Sequence, residues 1–414
     1  MVRTLATNRA IEAEPEEVGL SSKGLGNVSR LVQGYIDDRR LPGAISMVAR
    51  RGRVVHFETY GSMDKEAGKE TRDDTIYRIH SMTKPIASVG LMMLYEEGRF
   101  DLGDSASKFI PQLKDLKVFD KGTAESYTVR PAAREMTIQD LLMHTSGLTA
   151  NGPTTPVAQL YRQAGLLGSS SKGTVADFID KLANLPLKCD PGAEWNYGVS
   201  TDVVGHLIEV LSGQRLDVYL RERILGPLGM VDTGFEIADD TLDRFAANYT
   251  WHADTLSYSL LDAPATSAYR SRMYLSAAGG LTSTAADYMR FGKMLANGGE
   301  LDGARILSPR TIAFMATNHL PGNRDIQAMD GATASETSRD GIGFGLGFAV
   351  LMDPAKAQLL GTPGEYYWGG AASTAFFVNP AEDLVIVFMT QLMPSSTHPI
   401  RRELRQAIYG SIID

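Results

Sequence analysis

The sequence predicts an α/β (α+β) fold, with an antiparallel sheet flanked by terminal helices and an all-helical domain inserted into it. Three observations carry this expectation. Strand-like runs lie near both ends of the chain, helical patterns fill its middle, and Gly/Pro/Ser-rich loops join the helical stretches. A chain of 414 residues has room for two such units. The expected division is residues 1–100 plus 336–414 for a discontinuous α/β domain and 101–335 for the helical domain.

From the N-terminal end, the first element is a helix. In "KGLGNVSRLVQGYID" (23–37), Leu25, Val28, Leu31, Val32 and Ile36 recur at helical spacing. "GAISMVARRGRVVHFETYG" (43–61) reads as two β runs around a tight Arg51-Gly52 turn. An amphipathic helix is expected over 83–97, with Pro85 in its first turn and Gly98 as a C-cap. The middle carries "TIQDLLMHTSG", "TVADFIDKLANL", "STDVVGHLIEVLSG" and "TAADYMRFGKMLANGG", all helical in pattern. The polar, Gly-rich "PGNRDIQAMDGATASETSRDG" (321–341) reads as a surface loop returning to the first domain. Then "GFGLGFAVLM", "STAFFVNP" and "EDLVIVFMTQ" read as strands, the last two joined at Asn379-Pro380, and "PIRRELRQAIYGSII" as a closing helix. A sheet of about five strands, two from the start and three from the end, would be covered by the terminal helices. The cleft between such domains is where substrate sites usually lie.

Composition narrows the chemistry. Apolar content of 43% and charged content of 22% are those of an ordinary globular protein. A net charge of −8, with no dense Lys/Arg tract, argues against nucleic acid, whose binding depends on neutralising phosphates. Cys189 is alone, so neither an intrachain disulfide nor a thiolate metal cluster can form, and it reads as a small buried hydrophobe. No window approaches the roughly eighteen apolar residues of a membrane span. The first twenty or so residues lack the apolar stretch of a signal peptide, so a cytoplasmic protein is expected. The seven histidines (56, 80, 144, 206, 252, 319 and 398) show neither His-Glu-x-x-His nor a tight pair, and no metal is expected. Phosphate-binding Gly-rich loops are missing, and "GVSTD" (198–202) fails the last position of a Gly-x-Ser-x-Gly elbow.

Three Ser-x-x-Lys strings remain: Ser81 to Lys84, Ser105 to Lys108 and Ser169 to Lys172. Chance supplies roughly one in a chain of this length. Serine is a weak nucleophile that needs a neighbouring base, and a helix places residues i and i+3 on one face. A helix N-terminus also presents unpaired N–H groups to developing negative charge. Ser81 meets both conditions, standing after a strand-rich run and before an apolar helix. Ser105 lies in a Pro-interrupted segment and Ser169 in a Gly/Ser loop, so both read as surface. Lys84 can act as a base only where burial or a positive field favours its neutral form, and a second hydroxyl or phenol would help it.

"SMTK", "IQDLLMHTSGL", "PGAEWNYGVSTDVVGHLIEVLSG", "ILGPLGMVDTGF", "AAGGLTSTAADYMRF" and "YYWGGAASTAFFVNP" occur in an order that resembles the serine β-lactamase/penicillin-binding-protein-like superfamily. The likeness runs from about residue 15 to the last residues and is greatest to the family VIII carboxylesterases, relatives of class C β-lactamases. It implies that Ser81 is the nucleophile, Lys84 its helical partner, and Tyr197 the phenol that shares the serine's proton and protonates the leaving group. Trp368-Gly369-Gly370 stands where β-lactamases have Lys-Thr-Gly, on a strand flanking the cleft and facing substrate. The resemblance further implies an oxyanion hole from the backbone N–H groups of Ser81 and Ala371. Two glycines there would let a substrate approach the strand closely.

Two departures shape the expected substrate. Tyr197-Gly198-Val199 lacks the Asn that β-lactamases present to an amide, and Trp368 replaces a cation that would attract a carboxylate. Both favour neutral esters over β-lactams. The expectation is a serine carboxylesterase for short-chain acyl esters, with a small-molecule ester as its partner and no cofactor. An acyltransferase at the same site, a weak β-lactamase or D-amino-acid peptidase, and a non-catalytic assembly protein stand as alternatives. His144 resembles a structural turn of the superfamily, a helix end capping the "TSG" loop, rather than a Ser–His–Asp member. His80 adjoins Ser81 but points elsewhere. "TANGPTTPVAQLYRQAGLLGSSS" (149–171) is expected at the rim of the pocket, shaped by the inserted domain.

Overall fold

The computed structural model describes residues 11–150, 155–167, 173–271, 274–329 and 339–414. Its centre is an eight-stranded antiparallel sheet. In chain order the strands are β1 (Gly43–Arg50), β2 (Arg53–Asp64), β3 (Lys69–Glu70), β4 (Ile342–Phe344), β5 (Ala349–Leu351), β6 (Tyr366–Gly369), β7 (Ala375–Asn379) and β8 (Leu384–Thr390). Across the sheet they run β4-β5-β6-β7-β8-β1-β2-β3. The start and end of the chain therefore meet at β1 and β8, paired from Ala44↔Thr390 to Arg50↔Leu384.

The sheet is wider than the sequence pattern indicates. "GFGLGFAVLM" bends and splits into β4 and β5, because Gly347 turns at φ 102° against the Ser88 side chain, where no Cβ would fit. The Trp-Gly-Gly segment forms β6, and β3 adds a two-residue edge. The β1–β2 hairpin turns at Arg51 and Gly52 as expected, both at positive φ (51° and 75°). Such a tight turn matches the right-handed twist of its strands.

Six helices position the site: α1 (Ser22–Asp37), α2 (Thr83–Glu96), α3 (Ile138–Met143), α4 (Ser200–Ser212), α5 (Ala285–Ala296) and α6 (Ile400–Tyr409). Alternation along β1 divides the core. Ala44 and Val48 pack with Leu25, Val28 and Val32 of α1 and with Leu404 and Ile408 of α6. Ile45, Met47 and Ala49 pack on the opposite face, where α2 and α5 lie. The Ser21 side chain caps α1 by accepting from the Gly24 N–H.

α2 differs from the amphipathic helix its sequence predicts. Every residue from Thr83 to Leu94 is buried, because α2 is enclosed between the sheet layer and α4. A helix apolar on all sides is a helix with no solvent face. Gly98, at φ 68°, stands just past its end.

Among its described residues, the segment expected to be all-helical holds more helix than strand, yet it carries three β-hairpins, Lys117–Gly122 with Tyr127–Pro131, Asn248–His252 with Ser257–Asp262 and Glu300–Leu301 with Ala304–Arg305. It also supplies α5 to the sheet layer, packed on β1, β7 and β8. No helix among the described residues is long and apolar enough to cross a membrane.

Candidate active site

The segment leading to Ser81 is tied down before it reaches the site. Tyr77–Arg78 pairs with Thr282–Ser283, and the Ile79 N–H donates to the Leu281 carbonyl at 3.2 Å. The buried Arg78 guanidinium donates to Asp262 Oδ2 (2.8 Å), Ser267 Oγ (3.2 Å) and the Ala246 carbonyl (2.5 Å). His80 then takes a left-handed backbone (φ 44°), turning the chain into the tight His80–Met82 turn and α2. Tyr288 of α5 donates its hydroxyl to the Met82 carbonyl at 2.9 Å. Ser81 stays partly exposed, while everything in α2 up to Leu94 is buried.

Lys84 is 4% exposed. Its Nζ donates to Ser81 Oγ at 3.3 Å and to the Ala278 carbonyl at 2.6 Å, and it lies 4.5 Å from the centre of the Tyr197 ring. The i, i+3 spacing read from sequence thus becomes a Ser–Lys contact on one helical face. Ser105 behaves differently. Its hydroxyl contacts Ser107 and Glu135, while Lys108 pairs with Asp104 at 2.9 Å. Ser169 and Lys172 lie outside the described residues.

Tyr197 is carried by the loop between Asp190 and α4. That loop is held to the end of α3 by the Gly192 N–H on Thr145 O (2.7 Å) and the Asn196 N–H on His144 O (2.8 Å). Its ring lies 4.9 Å from His144, 5.3 Å from Trp368 and 6.0 Å from Trp195. Phe344 of β4 completes the aromatic wall, edge-on to Trp368 at 5.3 Å. His144 caps α3 in a left-handed conformation (φ 60°), as the sequence predicts. Burial holds its imidazole well below the usual histidine range, and the charge of Lys84 adds to the effect.

Trp368 lies on β6 with its ring against Tyr197, and Gly370 brings this strand to the turn that holds Ser81. A Cβ at Gly370 would stand 2.5 Å from the Ile79 carbonyl oxygen, two residues before Ser81. At Gly369 it would stand 2.6 Å from the Arg401 guanidinium carbon. The glycines are also required by the packing of the protein itself. The space they leave is filled by protein, and Arg401 donates to the carbonyls of Gly370 (2.6 Å) and Thr374 (2.8 Å). Ala371 comes next, partly exposed, at the start of the turn into β7.

Sequence reasoning missed Asp202, Ala278 and Phe344. Asp202 had a signal, a carboxylate within the wholly buried first turns of α4. Ala278 acts through its carbonyl, which no side chain announces, and Phe344 reads as any core phenylalanine.

The Beta-lactamase family profile matches residues 28–410. The chain belongs to the Beta-lactamase family. Within that family it is 34% identical to protein Rv1367c of Mycobacterium tuberculosis (strain ATCC 25618 / H37Rv), over 88% of this chain and 89% of that one. It is 31% identical to esterase EstB of Burkholderia gladioli, over 97% of this chain and 99% of the esterase. Among solved structures it is similar to EstCE1, a hydrolase with promiscuous acyltransferase activity. That match has a TM-score of 0.77 and 25% identity, covering 94% of this chain and 99% of EstCE1. The large antiparallel sheet with its helical layers is the β-lactamase/transpeptidase-like fold of such relatives.

Proposed function

We propose that this member of the Beta-lactamase family is a serine carboxylesterase of the family VIII type, acting on short-chain acyl esters through an acyl-enzyme on Ser81. The observation that carries the reading is the 3.3 Å contact between the buried Lys84 Nζ and the partly exposed Ser81 hydroxyl, beside the Tyr197 ring. Likeness to esterase EstB along almost the whole chain supports it.

In the first step Lys84 and Tyr197 take the proton from Ser81 Oγ as that oxygen bonds to the ester carbonyl carbon. The oxyanion is received by the N–H groups of Ser81 and Ala371. The carbon–alkoxy bond then breaks, and Tyr197 gives a proton to the departing alcohol. In the second step water loses a proton to the same pair and attacks the acyl carbon, and Ser81 leaves with its proton restored. Trp368, partly exposed and backed by the buried Phe344, gives the cleft an aromatic surface, which suits neutral esters better than carboxylates. Acyl transfer to an alcohol in place of water is the second reading, favoured by the likeness to EstCE1.

A reactive phosphonate probe followed by peptide mass spectrometry tests the assignment. Label on Ser81, and a loss of ester turnover on the order of 10⁴-fold or more in Ser81→Ala, is expected. Label on Ser105, or undiminished turnover in Ser81→Ala, overturns it. Product analysis with added alcohols separates hydrolysis from transfer.

A further inference from the structure

Asp202 stands in the first turn of α4, where an acidic residue commonly serves its own helix. Here it serves another segment. Val199, at the helix N-cap, receives no side-chain cap, and the Asp202 carboxylate reaches across to the turn before Thr282. Its Oδ1 accepts from Ser276 Oγ at 2.7 Å and from the Ala278 N–H at 3.2 Å. One turn further along α4, a Cβ on Gly205 would stand 2.7 Å from the Ala277 Cβ, so the missing side chain lets the turn lie flat on the helix. The residue thus clamped, Ala278, is the one whose carbonyl accepts from Lys84 Nζ at 2.6 Å.

We propose that Asp202 is the positioning residue for the Ser81–Lys84 pair: its carboxylate fixes the 276–278 turn that anchors Lys84, and it supplies the buried negative charge that Lys84 faces. The inference rests on the esterase reading and adds to it a residue outside the Ser-x-x-Lys and Tyr motifs. The groups concerned form a small set. Lys84 faces Ser81 on its own segment, His144 at the end of α3, the Tyr197 ring, and Asp202 on α4. Asp202 is buried among Ser276, Tyr274 and the Ala278 N–H; burial raises its carboxyl, and the Ser276 hydroxyl, the Lys84 charge and the Ala278 N–H oppose the rise.

The test is the rate at which a phosphonate probe labels Ser81, measured against pH. Asp202→Asn keeps an acceptor oxygen for both donors and removes only the charge. A negative charge is thereby taken from beside the Ala278 peptide that holds Lys84. The acid limb of the labelling profile is expected to move about one unit towards acid, with the plateau retained. Ser276→Ala loosens the clamp and leaves the charge in place. Its plateau rate is expected to fall about tenfold, with no acidward shift. An unmoved acid limb in Asp202→Asn, or a wild-type rate in Ser276→Ala, overturns the inference. If the wild type is not labelled at Ser81 at all, it is the esterase reading itself that falls.

Discussion

His144 shows how burial can deny a residue the role its chemistry invites. The imidazole packs 4.9 Å from the Tyr197 ring and beside Lys84, close enough for a proton-transfer scheme. Yet it is fully enclosed, its Nδ1 has no hydrogen-bond acceptor or donor among the described residues, and its neutral form is favoured by burial and by the lysine charge. A buried neutral ring wedged among Trp195, Tyr197 and Phe344 orients the phenol by packing. His144→Asn, an exchange that the left-handed backbone tolerates, should therefore lower Ser81 labelling by less than about tenfold, whereas loss of a general base costs roughly 10²–10⁴-fold. A loss in that larger range, with an altered pH profile, would restore His144 as a proton carrier. The same scale explains what could be read in advance. Ser81, Lys84, Tyr197 and Trp368 stand at fixed offsets within distinctive strings, and the structure brings the four together. Asp202 and Ala278 act through a backbone carbonyl and a contact between segments more than seventy residues apart, which no local spacing encodes.

At the scale of elements, α5 carries its own conflict. Asp287 occupies the third position of the helix, where the dipole favours a carboxylate, and it accepts from Thr233 Oγ1 and the Asp232 N–H, both at 2.8 Å. Burial outweighs these contacts, aided by the charge of Asp232, and the carboxyl is pushed up to about 6. Between about pH 4 and 6 the folded chain therefore keeps a proton that the unfolded chain has released, so stability falls as pH rises through that window. Asp287→Asn keeps an acceptor and removes the titration. Its stability relative to wild type should improve between pH 4 and pH 7 by up to about 3 kcal/mol, read from urea midpoints at the two pH values. A constant difference across the window would refute the assignment. The amphipathic pattern of α5 was plain in sequence, but the layer that receives its apolar face was not. A Cβ on Gly292 would stand 2.5 Å from Val385, so α5 lies close on β8, a contact between distant segments. The missed hairpin strand Tyr127–Pro131 is exposed at every position, so it has no inward face whose alternation could mark it as a strand.

For the whole molecule, closure of the sheet depends on joining chain ends some 340 residues apart, and α6 seals that join from outside. Beside that join, under α6 and against β6 and β7, lies a buried ion pair. Arg405 of α6 meets Glu365, just before β6, with side chains 2% and 0% exposed, and Tyr409 and Asn379 also contact the carboxylate. Burial raises the Glu365 carboxyl and Arg405 opposes the rise, so the arginine is what makes the buried charge tolerable. β6 also carries Trp368 and leads to Gly370, packed on the turn that holds Ser81, so loosening α6 over β6 reaches the site through one strand. Arg405→Leu should leave Glu365 buried without a counter-charge and cost about 3–5 kcal/mol in denaturant unfolding. The double variant Arg405→Leu, Glu365→Leu should recover much of that loss, because removing both charges also removes the desolvation penalty. If the ion pair itself supplies the stability, the double variant will be as weak as the single one. If it chiefly avoids an uncompensated charge, the double variant will unfold near the wild-type midpoint, with Ser81 labelled at close to the wild-type rate.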